Sequence, residues 1–327
     1  MAVIPIQKAD IVQLETPSRD HLQGQDSGSG SAGSGLSLQD RALPGACYYL
    51  TEGLEGIEPQ RYRCTESFMT AINVQTDQLH SGNASQYAVF SHVTPHHLAD
   101  INRFRNTHCK SLRFLYYEYE ETLVVKIMPG AAHEVALSQF EIILTLKLAS
   151  MGLLGELVYT RATTYKGTDC GKEPDSSFRS RRFRPYTTDW PTLAIECGVS
   201  ESINRLRVDS KWWFSNSKGQ VKTVLLISIS EKERKILIEQ WEMLPEVNSQ
   251  VTCHELDPAR IRQECIRKIE IVEANAGSAS LQLSFQNLFL REPVQGETDI
   301  VFTTQDLERF AAYVWLDSRS DPLYVKQ

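Results

Sequence analysis

The residues best suited to chemistry fall between Pro174 and Ile229. Asp175 follows a proline that can open a strand, Glu196 ends the apolar run Leu193-Ala194-Ile195, and Arg207 and Lys211 lie one turn apart on the helix that follows. Carboxylates carried by two neighbouring strands to one end of a sheet offer oxygen ligands to a hard divalent cation such as Mg²⁺ or Mn²⁺. A lysine close by can then serve a phosphate reaction at that cation, so the expected chemistry is hydrolysis of a phosphodiester. Just beyond Asp175 come Arg179, Arg181, Arg182 and Arg184 with Phe183 among them. A duplex or single strand of DNA or RNA would find phosphate contacts there. A solvated basic loop fits that run equally well.

The elements that must position these groups can be read from period and punctuation. Leu112 to Tyr119 and Thr122 to Met128 are rich in aromatic and β-branched residues about Glu120-Glu121, which predicts a hairpin. Pro129-Gly130 breaks it, and Ala131 to Met151 follows as a helix with Leu137, Phe140, Leu144, Leu148 and Met151 on one stripe. Glu134 lies in its first turn, where a carboxylate is favourable against the helix dipole whatever else it does. Strands are expected at Glu156 to Thr160, Pro174 to Phe178 and Pro191 to Glu196. Ser200 or Ser202 then caps a helix whose inner stripe is Ile203, Leu206, Ser210 and Trp213. Val221 to Ser230 and Lys235 to Trp241 add two more strands.

This order, with Met128-Pro129 and His133-Glu134, Glu173-Pro174-Asp175-Ser176, the run from Trp190 to Gly198, and Asp209-Ser210-Lys211-Trp212-Trp213, resembles the restriction-endonuclease-like, or PD-(D/E)XK, nuclease superfamily. Within it the likeness is to a branch common in fungal genomes, over about Leu112 to Trp241. The resemblance implies an α/β fold whose core is a central mixed sheet flanked by helices, with a divalent-metal site at its edge. Asp175 and Glu196 would be the metal carboxylates and Glu134 an accessory acid from the first helix. The lysine of the pattern, two residues after the glutamate, is Gly198 here. A lysine's long stem lets it come from another element. Lys211 is the candidate, Lys222 on the closing strand its rival, and Arg207 joins the arginines above as a nucleic-acid contact.

Around that core, residues 1–40 hold a Gly/Ser-rich run with little to bury, expected to be a disordered tail. Residues 41–110 read as mostly helical or irregular, including a helix from Pro95 capped by Thr94. Residues 111–245 form the core. Residues 246–327 form an α+β extension: a helix from Asp257-Pro258 to Val272, a strand from Ser280 to Leu290, its partner at Asp299 to Thr303, and a helix from Thr304 to near Trp315. The net charge of −7 places any nucleic-acid binding in a local basic patch. Seven cysteines in no metal-like spacing suggest reduced thiols. The absence of an apolar run near the ~20 residues of a membrane span points to a protein inside the cell, in cytoplasm or nucleus. Three readings stand: a metal-dependent nuclease, a nuclease-fold protein that binds nucleic acid or a protein partner without cutting, and an α/β domain whose acids are ordinary strand ends.

Overall fold

The computed structural model describes residues 44–80, 84–108, 111–128, 130–199, 203–245 and 261–317. The expected tail, the Ser200/Ser202 cap and Pro129 lie outside them. The described residues gather into one compact unit. It begins with α1 (Ala46–Thr51), β1 (Gln60–Arg61), α2 (Thr65–His80), β2 (Tyr87–Ser91), α3 (Pro95–His108), β3 (Leu112–Tyr117) and β4 (Thr122–Ile127). The expected hairpin is β3–β4, paired Leu112 to Ile127 through Tyr117 to Thr122. Thr94 does cap α3, its Oγ1 accepting from His97 N–H at 3.3 Å. Residues 41–110 also give a strand to the sheet, since β2 pairs antiparallel with β4.

Next come α4 (Gly130–Ser150), β5 (Leu157–Tyr159), β6 (Tyr165–Lys166), β7 (Cys170–Lys172), β8 (Ser176–Ser180), β9 (Leu193–Val199), α5 (Ile203–Ser217), β10 (Thr223–Ser230) and β11 (Lys235–Pro245). The chain ends in β12 (Ile261–Val272), β13 (Leu281–Leu283), α6 (Phe285–Phe289), β14 (Ile300–Phe302) and α7 (Thr304–Asp317). The architecture is α/β, with two mixed six-stranded sheets, β1-β2-β4-β3-β7-β6 and β12-β11-β10-β9-β8-β5, and a small β13-β14 pair. The succession α4, β5, β8, β9, α5, β10 is the one expected of the core, with β9 and β10 parallel across α5. Parallel neighbours need such a crossover helix.

Three apolar clusters define the layers. Sheet β1-β2-β4-β3-β7-β6 packs one face on Phe68 and Ile72 of α2 and Ile101 of α3. Its other face meets α5, whose Leu206, Trp212 and Trp213 also pack on Ala194, Val224 and Leu226 of the second sheet. The far face of that second sheet carries Leu193, Ile195 and Cys197 against Phe140 and Leu144 of α4 and Phe310 and Val314 of α7. Because side chains alternate along a strand, Leu193, Ile195, Cys197 and Val199 face α4, while Glu196 and Gly198 face α5.

The C-terminal region departs from expectation twice. The stretch read as a helix to Val272 is β12, paired antiparallel with β11 over Lys235 to Pro245. Ile269 and Ile271 are buried while Lys268, Glu270 and Val272 are exposed. The period of two is present, and the many arginines and lysines on the solvent face obscure it. The strand expected from Ser280 to Leu290 stops at Ser284, whose side chain accepts from Asn287 N–H and starts α6. The α7 cap is Thr303, not Thr304: its Oγ1 accepts from Asp306 N–H and the Asp306 carboxylate answers on Thr303 N–H at 2.8 Å. A strand at β12 gives a direct expectation. Ile271→Ala costs about 2–5 kcal/mol in urea unfolding, whereas Glu270→Ala, which loses only a surface pair with Lys235, changes stability by no more than about 1 kcal/mol. Equal losses would place both side chains on one face and contradict the strand.

Candidate functional site: a buried acid cluster between the sheets

Asp175 and Glu196 do converge. Asp175 sits one residue before β8, where its N–H donates to Ile195 O and its Oδ2 accepts from Cys197 N–H at 2.7 Å. Glu196 projects from β9 onto α5 and accepts from Trp213 Nε1 at 2.7 Å. What completes the site comes from the facing sheet. Lys126 of β4 places its Nζ 2.7 Å from Asp175 Oδ2 and 3.5 Å from Glu196 Oε2. Lys172, the last residue of β7, lies 3.2 Å from Glu196 Oε1 and 3.0 Å from Asp209 Oδ1 of α5. Arg205, one turn before Asp209, approaches the same oxygen at 3.4 Å. Its other terminal nitrogen donates to Tyr49 O and Glu52 O, the carbonyls that end α1. Gly53 permits that approach: it has φ +72°, and a Cβ there would stand 2.9 Å from the Arg205 Cα.

Three carboxylates and three cations are thus brought together with at most 5 % of any side chain exposed along the lysine–acid contacts. His133 of α4 stands 3.5 Å from Asp175 Oδ2, near enough to feel its charge but out of line for a hydrogen bond. Asp175 Oδ1 and Asp209 Oδ2 are buried and have no hydrogen-bond partner among the described residues. Burial pushes the Asp175 carboxyl upward, yet Lys126, His133 and Arg113 outweigh it and hold it well below the usual range. Asp209 is likewise raised by burial and lowered further by Lys172 and Arg205. Glu196 differs: burial, reinforced by Asp209 and Asp175 and opposed by Lys172 and Lys126, pushes it up to about 6.

These oxygens are chemically suited to a hard cation, but the cation position is taken. The Lys126 ammonium bridges Asp175 and Glu196 where a divalent ion would sit, and Lys172 bridges Glu196 and Asp209. The void beside Arg113, Lys126, Lys172 and Asp209 is about 10 Å³, at the lower limit of what one water needs. A divalent ion and a phosphodiester do not fit this arrangement. Among the described residues no group of three His, Cys, Asp or Glu is placed to hold a metal.

The other expected site residues lie elsewhere. Glu134 is 66 % exposed and its carboxylate comes no nearer to the cluster than 3.9 Å from His133 Nδ1. One residue turns a helix by about 100°, so His133 takes the inward position. Lys211 donates to Tyr48 OH at 2.8 Å, and Lys222 to Gly219 O at 2.8 Å. Arg179 and Arg184 are buried: the first donates to Arg184 O and Tyr186 O, the second to Trp190 O and Pro191 O. They hold the turn between β8 and β9, with main-chain carbonyls taking up their guanidinium nitrogens. Arg207 pairs with Glu239 through two nitrogens, at 2.5 and 3.0 Å. Only Arg181 and Arg182 of the basic run are exposed, beside half-exposed Phe183.

Sequence reasoning misses Lys126, Lys172, Asp209, Arg205 and His133 as members of the site. Lys126 carries a signal, one charge inside the apolar strand Leu123-Val124-Val125-Lys126-Ile127. Lys172 stands three residues before Asp175, and Asp209 opens the block that contains Lys211.

No protein-family profile and no curated protein matches the chain. Among solved structures, a DUF820 candidate nuclease from Anabaena variabilis is similar at TM-score 0.34 and 12% identity, over 61% of this chain and 90% of that one. At that level the similarity decides neither fold nor activity, which rest on the geometry above.

Two expectations follow from the charges. Lys126→Met leaves Asp175 buried beside an apolar side chain and costs about 3–5 kcal/mol in urea unfolding. Adding Asp175→Asn to it recovers some of that loss, and strictly additive losses would mean the two groups are not coupled. The second concerns pH. The Glu196 value of about 6 exceeds the ~4.3 of an unfolded glutamate, so the folded chain binds that proton more tightly and loses stability as pH rises from about 4.3 to 6. Asp175 and Asp209, both lowered, have the opposite sign: their contribution is present above the unfolded value of ~3.9 and disappears as pH falls below it. The melting temperature of the wild type relative to Glu196→Gln therefore declines between about pH 4.5 and 6.5; parallel curves would deny Glu196 its raised value.

Proposed function

We propose that this chain is a nuclease-fold protein that binds nucleic acid without hydrolysing it. One observation carries the reading: the two carboxylates that would hold a catalytic metal share the Lys126 ammonium at 2.7 and 3.5 Å in a solvent-free interface between sheets. Asp175, Glu196 and Asp209 neutralise Lys126, Lys172 and Arg205, so the cluster needs no further cation. Opening it would separate paired charges and pull packed faces away from one another, which costs several kcal/mol per uncompensated ion. Exposed Arg181 and Arg182, for which no carboxylate partner is found among the described residues, support nucleic acid as the partner. No helix among the described residues is long and apolar enough to cross a membrane.

A second reading, a Mg²⁺- or Mn²⁺-dependent nuclease, is favoured by a different observation. Asp175 Oδ1 and Asp209 Oδ2 are buried acceptors with no hydrogen-bond partner among the described residues, and such orphaned oxygens in a polar cluster call for a ligand or ion. That reading requires Lys126 to leave Asp175 and His133 to stand in for the accessory acid expected of Glu134.

The test is incubation of wild type and Asp175→Asn with supercoiled plasmid and with a single-stranded oligonucleotide in millimolar Mg²⁺ or Mn²⁺. The expected result is no cleavage above that of the variant and no metal-dependent rise in melting temperature. Cleavage by wild type that disappears in Asp175→Asn overturns the proposal and selects the metal-dependent nuclease.

A further inference from the structure

Two lysines expected near the acid cluster instead meet a third on the opposite side of α5. Lys211, Lys218 and Lys222 line a cleft of about 1030 Å³ whose other walls come from β11, β12 and α6. Lys211 and Phe214 lie three residues apart on α5, and Lys218 directly follows its last residue. Among the described residues the lining holds no aspartate or glutamate. Lys211 bonds a tyrosine hydroxyl and Lys222 a backbone carbonyl, and no carboxylate partner is found for the three lysines among the described residues. Arg262 also reaches the cleft, but Glu264 pairs with it at 2.9 Å. In a protein of net charge −7, three ammonium groups without carboxylates on one wall are an anion site in electrostatic terms.

Position at the end of a helix explains only some of this. A lysine beside the last turn is stabilised by the helix dipole, which accounts for Lys218. It does not account for Lys211, nearly two turns earlier, nor for Lys222, which burial and Arg184 both lower. Desolvating an ammonium beside another cation raises the free energy of its charged form, and an anion in the cleft would relieve that cost. The remaining lining adds a second requirement. Phe214, Met243 and Leu290 give an apolar floor, and Gln263 presents an amide.

We propose that this cleft binds a nucleotide unit, with its own and the adjoining phosphates on Lys211, Lys218 and Lys222 and its base against the apolar floor and the Gln263 amide. The unit is either a free nucleotide or a residue of a single strand. The inference rests on the binding aspect of the function proposed above and does not depend on whether the acid cluster is closed. A glutamine amide, which both donates and accepts, is suited to a base edge, and the cleft is large enough for base, sugar and phosphate together.

The experiment measures fluorescence anisotropy of a labelled oligo(dT) of about 20 nucleotides from low to moderate salt in EDTA, with UTP as unlabelled competitor. EDTA keeps metal chemistry out, so the result is independent of any cleavage. Wild type binds with a salt slope, and Lys211→Gln/Lys218→Gln/Lys222→Gln shallows that slope by about 2, at ~0.7 per phosphate contact on a single strand. The charge-matched control Lys166→Gln/Lys232→Gln/Lys235→Gln leaves it unchanged. Competition by UTP at concentrations below those needed from inorganic phosphate assigns a free nucleotide; binding of oligo(dT) without such competition assigns a single strand. If the triple variant melts early, exposed Lys218→Gln alone shallows the slope by about 0.7. Equal slopes in wild type and cleft variants, or no binding of either probe to wild type, overturn the proposal.

Discussion

The pairing of Asp175, Glu196 and Asp209 with Lys126, Lys172 and Arg205 is the constraint on which the rest of the fold turns. Each sheet presents charges that it cannot bury alone: two ammonium groups on one, a carboxylate at or beside each of two strands on the other. They become tolerable only when the sheets face one another with α5 between them. Such a cluster is weak evidence for stability as such, because an apolar core of equal volume often does as well. Its effect is on specificity. A slip of one residue in β4 would turn Lys126 to the α2–α3 side and leave Asp175 unpaired, so the charges reject registers that the apolar residues alone would accept.

The same balance gives Gly198 a physical reading. By alternation it shares the α5-facing side of β9 with Glu196, at the position where the nuclease pattern expects lysine. Three cations already oppose three carboxylates there. A lysine at 198 would add a fourth positive group to a neutral, solvent-free cluster, at a desolvation cost that no further carboxylate offsets. Lys126 and Lys172 bring their positive charge to the cluster from across the interface.

How much of this is legible in the sequence depends on whether a feature is local. The β3–β4 hairpin, α4, α5 and the α3 cap are set by short-range period and capping, and the sequence shows them. Asp175 and Glu196 can be paired because a familiar order of blocks places them on adjacent strands. Lys126 cannot, since its partner is 49 residues away in the other sheet and nothing near Lys126 indicates that β4 faces β8. The basic run misleads for the opposite reason. Arg179 and Arg184 look like a phosphate surface by composition, but two turn carbonyls each in a buried loop claim their guanidinium groups. In β12, charges on the exposed face outnumber the inward isoleucines and hide a period of two.

Helix α5 divides the molecule's electrostatics through geometry alone. Arg205, Asp209 and Trp213 recur every four residues and face the acid cluster. Lys211 is two residues from Asp209, about 200° around the helix, and Lys218 follows the helix end beside the same cleft. One helix therefore buries a neutralised acid centre on one side and carries, on the other, ammonium groups for which no carboxylate partner is found among the described residues. A scaffold that had to admit a phosphate among its carboxylates would need those faces to communicate. Here the charges of the cluster balance one another, and the positive potential available to an anionic partner lies on the outside of α5, where access does not require the sheets to separate.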